Sequence, residues 1–246
     1  MTRQTPAEPG GMPDSFPVTP VNRVKRQPGR GHYDRATVHA ILDAALLCHI
    51  AYVIDGRPYC TPTSFWREGE HLYWHGSSAS RMIRTQAQGI DLCLTVTHLD
   101  ALVMARSGFH HSVNYRSAMV FGQARVVEDM EEKRALMDRL VDRIYPGRSS
   151  LIRPPNASEI RATSVLCMEI ETASAKIREK HVSDDEADYA DVPAWTALYP
   201  VTQVLGAPSL CPRQQAGLER PAGMADFTPG ARLDAVMTSA YRRIFG

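Results

Sequence analysis

Residues 47–75, LCHIAYVIDGRPYCTPTSFWREGEHLYWH, decide the fold class. Leu47 to Ile54 is apolar and β-rich, and Asp55-Gly56 is a strong signal for a tight hairpin. Tyr59 to Trp66 reads as the returning strand, Glu68-Gly69-Glu70 as a second turn, and His71 to His75 as a third strand. Two hairpins in succession make an antiparallel meander.

Upstream, residues 1–30 are rich in Pro, Gly and charge and read as a flexible arm. Asp34 is a good N-cap for a helix carrying Val38, Ile41, Leu42 and Ala45 on one face. Downstream, Ser77 to Gln88 reads as a short helix closed by Gly89. Strands follow at Asp91 to Thr97 and Ala101 to Arg106, then a loop from Gly108 to Asn114 and a long strand from Arg116 to Val127. Asp129 and Glu132 form a capping box for a helix whose core stripe is Leu136, Met137, Leu140 and Ile144. Val165 to Thr172 is a further strand, ahead of Ala175 to Lys180, and Trp195 to Pro200 a docked, irregular segment. Residues 206–246 form an extension, Pro- and Gly-rich at first, with a helix expected near Ala231 to Ile244. Mostly antiparallel strands with a few inserted helices predict a small β-barrel with helical decorations, spanning about 31–205, rather than a doubly wound sheet.

The bulk properties bound the function. The chain has 246 residues, 43% of them hydrophobic and 22% charged, enough for a sizeable core without staples. A formal net charge of +1 gives no global reason to expect nucleic acid or an acidic membrane, so any bound anion must be gripped locally. The five cysteines are scattered without a C-x-x-C pair, which argues against a disulfide framework or a cysteine zinc site. There is no apolar leader and no run long enough to span a bilayer, so a cytoplasmic location is expected. No G-x-G-x-x-G follows a strand, and there is no Walker loop.

Three stretches can carry chemistry. His75-Gly76-Ser77-Ser78-Ala79-Ser80-Arg81 lies at a strand-to-helix junction, where free N–H groups favour an anion, and its hydroxyls and guanidinium suit phosphate oxygens. The alternative is that Ser77 or Ser78 simply caps the helix. In His110-His111-Ser112-Val113-Asn114-Tyr115-Arg116-Ser117, Arg116 opens an apolar strand and needs a partner, either a phosphate or an acidic side chain. His110 and His111 are strand neighbours pointing to opposite faces and chelate one ion poorly, so no metal site is expected. Pro62, within Thr61-Pro62-Thr63-Ser64, interrupts a strand ladder and marks either an ordinary edge or a gap open to a flat heterocycle.

In this order, the segments resemble the FMN-binding split barrels related to pyridoxamine 5′-phosphate oxidase, in particular the nitroimidazole-resistance (Nim) branch. The resemblance rests on Tyr59-x-Thr61-Pro62-Thr63-x-Phe65, on Leu72-Tyr73-Trp74-His75-Gly76 leading to Ser80-Arg81, on Asn114-Tyr115-Arg116-Ser117 entering Val120-Phe121-Gly122, and on Lys176 to Lys180. It implies a six-stranded antiparallel split barrel with peripheral helices, and a homodimer with FMN at the subunit interface. It also implies that Ser77, Ser80 and Arg81 hold phosphate, with Gly76 beside them and Asn114, Tyr115, Arg116 and Ser117 assisting. Thr61, Pro62, Thr63 and Ser64 would line the isoalloxazine, and His75 would stand near the flavin as a catalytic proton relay. Arg81 and Arg84 replace the lysine-rich helix start of many Nim-like members, and the substrate signature of the oxidase itself is not found.

The function expected from this resemblance is an FMN-dependent oxidoreductase acting on a small, planar or electron-poor substrate, a nitro compound being one case. Two rivals stay open. One is a haem-binding split barrel with His75, His110 or His111 as axial ligands. The other is a flavin carrier without turnover.

Overall fold

The computed structural model describes residues 13–246. In chain order its elements are β1 (Gly31–His32), α1 (Arg35–Asp43), β2 (Leu47–Ile54), β3 (Arg57–Glu68), β4 (His71–Ser77), α2 (Arg81–Gln86), β5 (Asp91–Met104) and β6 (Ser112–Val126). There follow α3 (Met130–Ile144), α4 (Ala157–Ala162), β7 (Thr163–Glu169), β8 (Thr172–Arg178), α5 (Glu186–Asp191), β9 (Ala197–Pro200) and α6 (Leu233–Phe245). The first hairpin forms where expected: Asp55 and Gly56 both take positive φ, 50° and 74°, which matches the twist of the flanking strands.

All strand pairs are antiparallel, in the order β1-β8-β6-β7-β4-β3-β2-β5-β9, and β5 pairs back onto β6. The six strands β2 to β7 therefore close a ring, with β8 and β1 extending from β6 and β9 from β5. Strand β6 is shared along one edge: Tyr115 to Phe121 pair with β8, and Ala124 to Val126 with β7. That sharing splits the barrel. Its interior is filled by Ile50, Phe65, Leu72, Trp74, Leu94, Val120 and Leu166, each no more than 2% exposed. A second cluster, Trp66, Val127, Leu136, Val165 and Cys167, lies under α3 with Phe245 of α6 against it.

Several boundaries differ from the sequence expectation. Helix α2 begins at Arg81 rather than Ser77, because Ser77 is the last residue of β4 and pairs with Thr163. The two strands expected between Asp91 and Arg106 are one, with an irregularity between Leu99 and Ala101. Ser112 to Asn114, expected as loop, already belong to β6. The strand expected from Val165 to Thr172 is divided by a turn after Glu169. Ala197 to Pro200 is not irregular: it pairs with Ala101 to Met104. On α3 the deeply buried residue of the last turn is Arg143, 1% exposed, while Ile144 is half-buried. Arg143 donates to the carbonyls of Asp43, Ala45 and Met237, tying α3 to the end of α1 and to α6. Burial pushes its pKa down to about 10.

Residues 1–12 of the expected arm lie outside the described residues. Residues 13–30 lie along the barrel, with Phe16 buried beneath the Arg35 guanidinium and Asn22 donating to Thr172 and Ala173. All five cysteines are free. Among the described residues no helix is long and apolar enough to cross a membrane.

Candidate functional site

The split leaves a slot in the ladder between β3 and β4. Strand β3 pairs with β2 from Arg57 to Ser64, but with β4 only from Phe65 to Glu68. Strand β4 runs on to Ser77 with β7 alone. In a continued ladder Ser64, Thr63 and Pro62 would face His75, Gly76 and Ser77; instead the strands part after Phe65 and Trp74. Thr61 to Ser64 form one lip, His75 to Ser77 the other, and both lips present strand-edge backbone groups without a ladder partner across the slot. Pro62 has no N–H to offer, as expected of an interrupted edge. By strand alternation Pro62, Ser64, His75 and Ser77 share the face of Trp66 and Tyr73, whose rings stack at 5.3 Å, whereas Thr61 and Thr63 share the core face of Phe65. The Thr61 hydroxyl lies 3.1 Å from that of Tyr52.

At the end of the second lip, the backbone turns into α2. Ser78 N–H donates to the Ala162 carbonyl, Ser80 N–H to the Ser77 carbonyl, and Ala79 N–H to the Ser77 hydroxyl at 3.3 Å. The N-cap is Ser80, and its side chain makes no capping bond, so neither Ser77 nor Ser78 caps the helix. The first-turn N–H groups of α2 thus stand beside an uncommitted hydroxyl. Two features pin α2 against β4. Buried Trp74 donates its indole N–H to Gln86 at 2.9 Å, and Gly76 allows close approach, since a Cβ there would meet Ile83 Cγ1 at 2.8 Å.

Arg81 is exposed and makes no ion pair among the described residues; its guanidinium lies over the Tyr59 ring at 5.1 Å. Arg84 donates to the Ala79 carbonyl. His75 is the titratable group of the lip. Burial holds its pKa below the ordinary value of 6.5, favouring the neutral ring, and its buried Nδ1 has no hydrogen-bond partner.

Asn114 to Ser117 stand elsewhere. Ser117 pairs with Thr97 on β5, and β2 lies between β5 and β3, so three strand spacings, roughly 14 Å, separate Ser117 from the first lip. Arg116 donates Nε and Nη2 to Asp100 at 3.0 and 2.8 Å, and Nη2 also to Asp234 of α6 at 3.2 Å. These hydrogen bonds, those to Asp100 foremost, raise its pKa. Asn114 bridges the Lys180 backbone and Arg178, and Ser117 donates to the Lys176 carbonyl at 3.2 Å. A cavity of about 450 Å³ adjoins Asn114, Arg116 and His181. Asp100 and Asp234 were not singled out in the sequence, which showed only that Arg116 required a partner.

His110 and His111 occupy the loop before β6, at the opposite end of that strand from its pairing with β7. His110 Nε2 lies 3.4 Å from an Asp185 carboxylate oxygen, with Asp188 close by, and His111 Nδ1 lies 2.7 Å from the Ser107 carbonyl. His111 is thus engaged with that carbonyl, whereas the buried His110 Nε2 has no hydrogen-bond partner; both rings stand away from the slot.

The structure is similar to that of the flavocytochrome Anf3 from Azotobacter vinelandii: 40% identity, 86% of this chain and 98% of that one covered, TM-score 0.80. It is also similar to an FAD and haem binding protein from Mycobacterium smegmatis: 34% identity, 83% and 98% covered, TM-score 0.77. No curated protein matches the sequence. The family model for pyridoxamine 5′-phosphate oxidase matches residues 34–177, more than half of the chain. With its split six-stranded barrel, this chain belongs to the pyridoxamine 5′-phosphate oxidase-like family.

Proposed function

We propose that the chain is a flavin-nucleotide-binding redox protein whose flavin sits at the slot between β3 and β4. The observation that carries this reading is the uncommitted grip at Ser80 and Arg81: an unused N-cap hydroxyl, open first-turn N–H groups and an arginine without an acidic partner, all beside two unpaired strand lips. Unpaired lips suit the hydrogen-bonding edge of a flat heterocycle, and the grip suits the phosphate of FMN or the corresponding phosphate of FAD. Both structural relatives are named for a flavin, as flavocytochrome and as FAD-binding protein, which supports the assignment.

A bound flavin would supply hydride or single-electron transfer to a small planar or electron-poor acceptor, a nitro compound among them. The protein's own part is positional. Thr61 to Ser64 offer backbone groups along one edge, Ser77, Ser80 and Arg81 hold the phosphate, and neutral His75 can accept or donate a proton at Nδ1. Arg116 acts as a tether between β5 and α6 rather than as a phosphate ligand.

A homodimer fits the outer sheet face. There Leu99, Leu102, Met104, Val113, Met119 and Tyr199 are exposed together on β5, β6 and β9, more apolar surface than scattered residues account for. Tyr115 and Ser117 share that face, so a second copy can carry them to its partner's slot. Light scattering of the purified chain should give twice the mass of the monomer. We place the protein in the cytoplasm, in keeping with its five free cysteines.

The same relatives support a second reading, in which haem accompanies the flavin. Of the histidines considered, His110 and His75 each keep a buried nitrogen without a partner, and His75 fits a ligand role best because it alone stands on the lip of the slot, its ring held neutral by burial. The absorption spectrum of the purified protein, with extracted chromophores identified by mass, tests both readings. Flavin bands alone support the first, flavin with a Soret band lost in His75→Ala supports the second, and failure to take up FMN, FAD or haem overturns both.

A further inference from the structure

We propose that Tyr59 is the positioning residue for Arg81, and that Tyr52 joins it to form an aromatic platform linking the phosphate grip to the first lip; this rests on the assignment of the grip as a flavin phosphate site. An exposed arginine on a six-residue helix has several rotatable bonds and much rotamer freedom to lose on binding. Arg81 has no ion pair among the described residues to restrict it. What it has is the Tyr59 ring, 5.1 Å below its guanidinium carbon. Tyr59 is half-buried and is itself braced: its ring stacks on Tyr52 with centroids 5.7 Å apart and planes 16° from parallel. The two are direct cross-strand partners on β3 and β2, so backbone pairing sets their register. Tyr52 is 6% exposed, and its hydroxyl meets Thr61 Oγ1 at 3.1 Å, two residues along the lip from Tyr59.

The consequence is geometric. A guanidinium lying on a braced aromatic face keeps its N–H edge free for a ligand while losing much of its wandering before the ligand arrives. Cation–π contacts at half-exposed sites are worth about three- to tenfold in an equilibrium constant. Tyr59 thus acts on phosphate through Arg81 and needs no contact of its own with the ligand. Its hydroxyl is dispensable and its ring is not.

The test is the ratio of FMN to riboflavin affinity, read by flavin fluorescence titration of the full chain, since riboflavin lacks the phosphate. Wild type should prefer FMN. Tyr59→Phe should keep that preference, and Tyr59→Met should lower it about three- to tenfold with riboflavin affinity unchanged. In an Arg81→Ala background, Tyr59→Met should change the ratio no further. Tyr59→Thr, a strand-forming replacement, serves if the methionine variant does not fold. A wild-type protein indifferent to the phosphate would overturn the site assignment itself. A wild type that prefers FMN, with ringless variants that prefer it equally, would overturn the role of Tyr59 alone. So would loss of the fold in both variants, since Tyr59 would then be a core residue, and so would an undiminished effect without Arg81.

Discussion

Arg81 and Arg116 look alike in the sequence, each an arginine next to a serine in a stretch suited to phosphate, and the structure gives them opposite circumstances. Arg116 is committed: two carboxylates take its Nε and Nη2 groups, one from β5 and one from the C-terminal helix. Arg81 is in reserve, resting on an aromatic ring at an uncapped helix start. A cation whose charge is already matched by carboxylates has little left for a ligand, whereas one held without a counter-ion is poised for an anion. On the reading proposed above, that difference makes Arg116 a tether and Arg81 the phosphate-binding group.

The largest effect should come from breaking the reserve. Arg81→Ala should weaken FMN binding by about 1.5–3 kcal/mol, the range of a charge-assisted hydrogen bond, and leave riboflavin nearly untouched. Parallel titrations with the two flavins measure this, and equal losses would refute the phosphate assignment. Arg116→Ala should show the reverse pattern. It leaves Asp100 without its cation and loosens α6, lowering unfolding stability by about 1–2 kcal/mol in urea melts. Any change in flavin affinity should be the same for FMN and riboflavin, and a loss selective for FMN would return Arg116 to the phosphate site.

A smaller effect concerns pH. Burial lowers the pKa of His75, and burial, followed by the nearby Arg67 charge, lowers that of His39. In the unfolded chain these rings take up protons as pH falls through about 6.5, while in the fold they stay neutral to lower pH. Between the unfolded and folded values the unfolded state binds more protons, so stability falls as pH drops through that window. Melting temperatures from pH 8 to pH 5 should show this slope, and His75→Gln should reduce it. The carboxylates of Asp34 and Asp234 are also held below their ordinary value of 3.8, but they lose their contribution only at more acid pH.

What was legible in the sequence was local or periodic. Asp55-Gly56 has only a few backbone conformations that suit it, and the β-rich runs that became β2 and β4 mark strands without reference to anything distant. The same holds for the N-caps: Asp34 accepts from Thr37 N–H and Asp129 from Glu132 N–H, as their spacing implies. What escaped depends on partners far along the chain. Ser77 is drawn out of the helix into β4 by Thr163, which only the fold brings alongside. Arg143 is buried because three carbonyls from α1, its following turn and α6 converge on it, and no pattern within α3 announces that. The slot itself is a matter of where one ladder stops. Pro62 hinted at it, but the parting of β3 from β4 beyond Phe65 and Trp74 is set by β7 and β2 pulling the lips to different neighbours.

The claim that the slot is the flavin site meets its most direct test in hydrogen–deuterium exchange of the full chain with and without saturating FMN. Protection of residues 61–64 and of residues 77–83 together, the two lips and the start of α2, is the predicted result. Flavin uptake that leaves both segments exchanging as fast as in the free protein would contradict it.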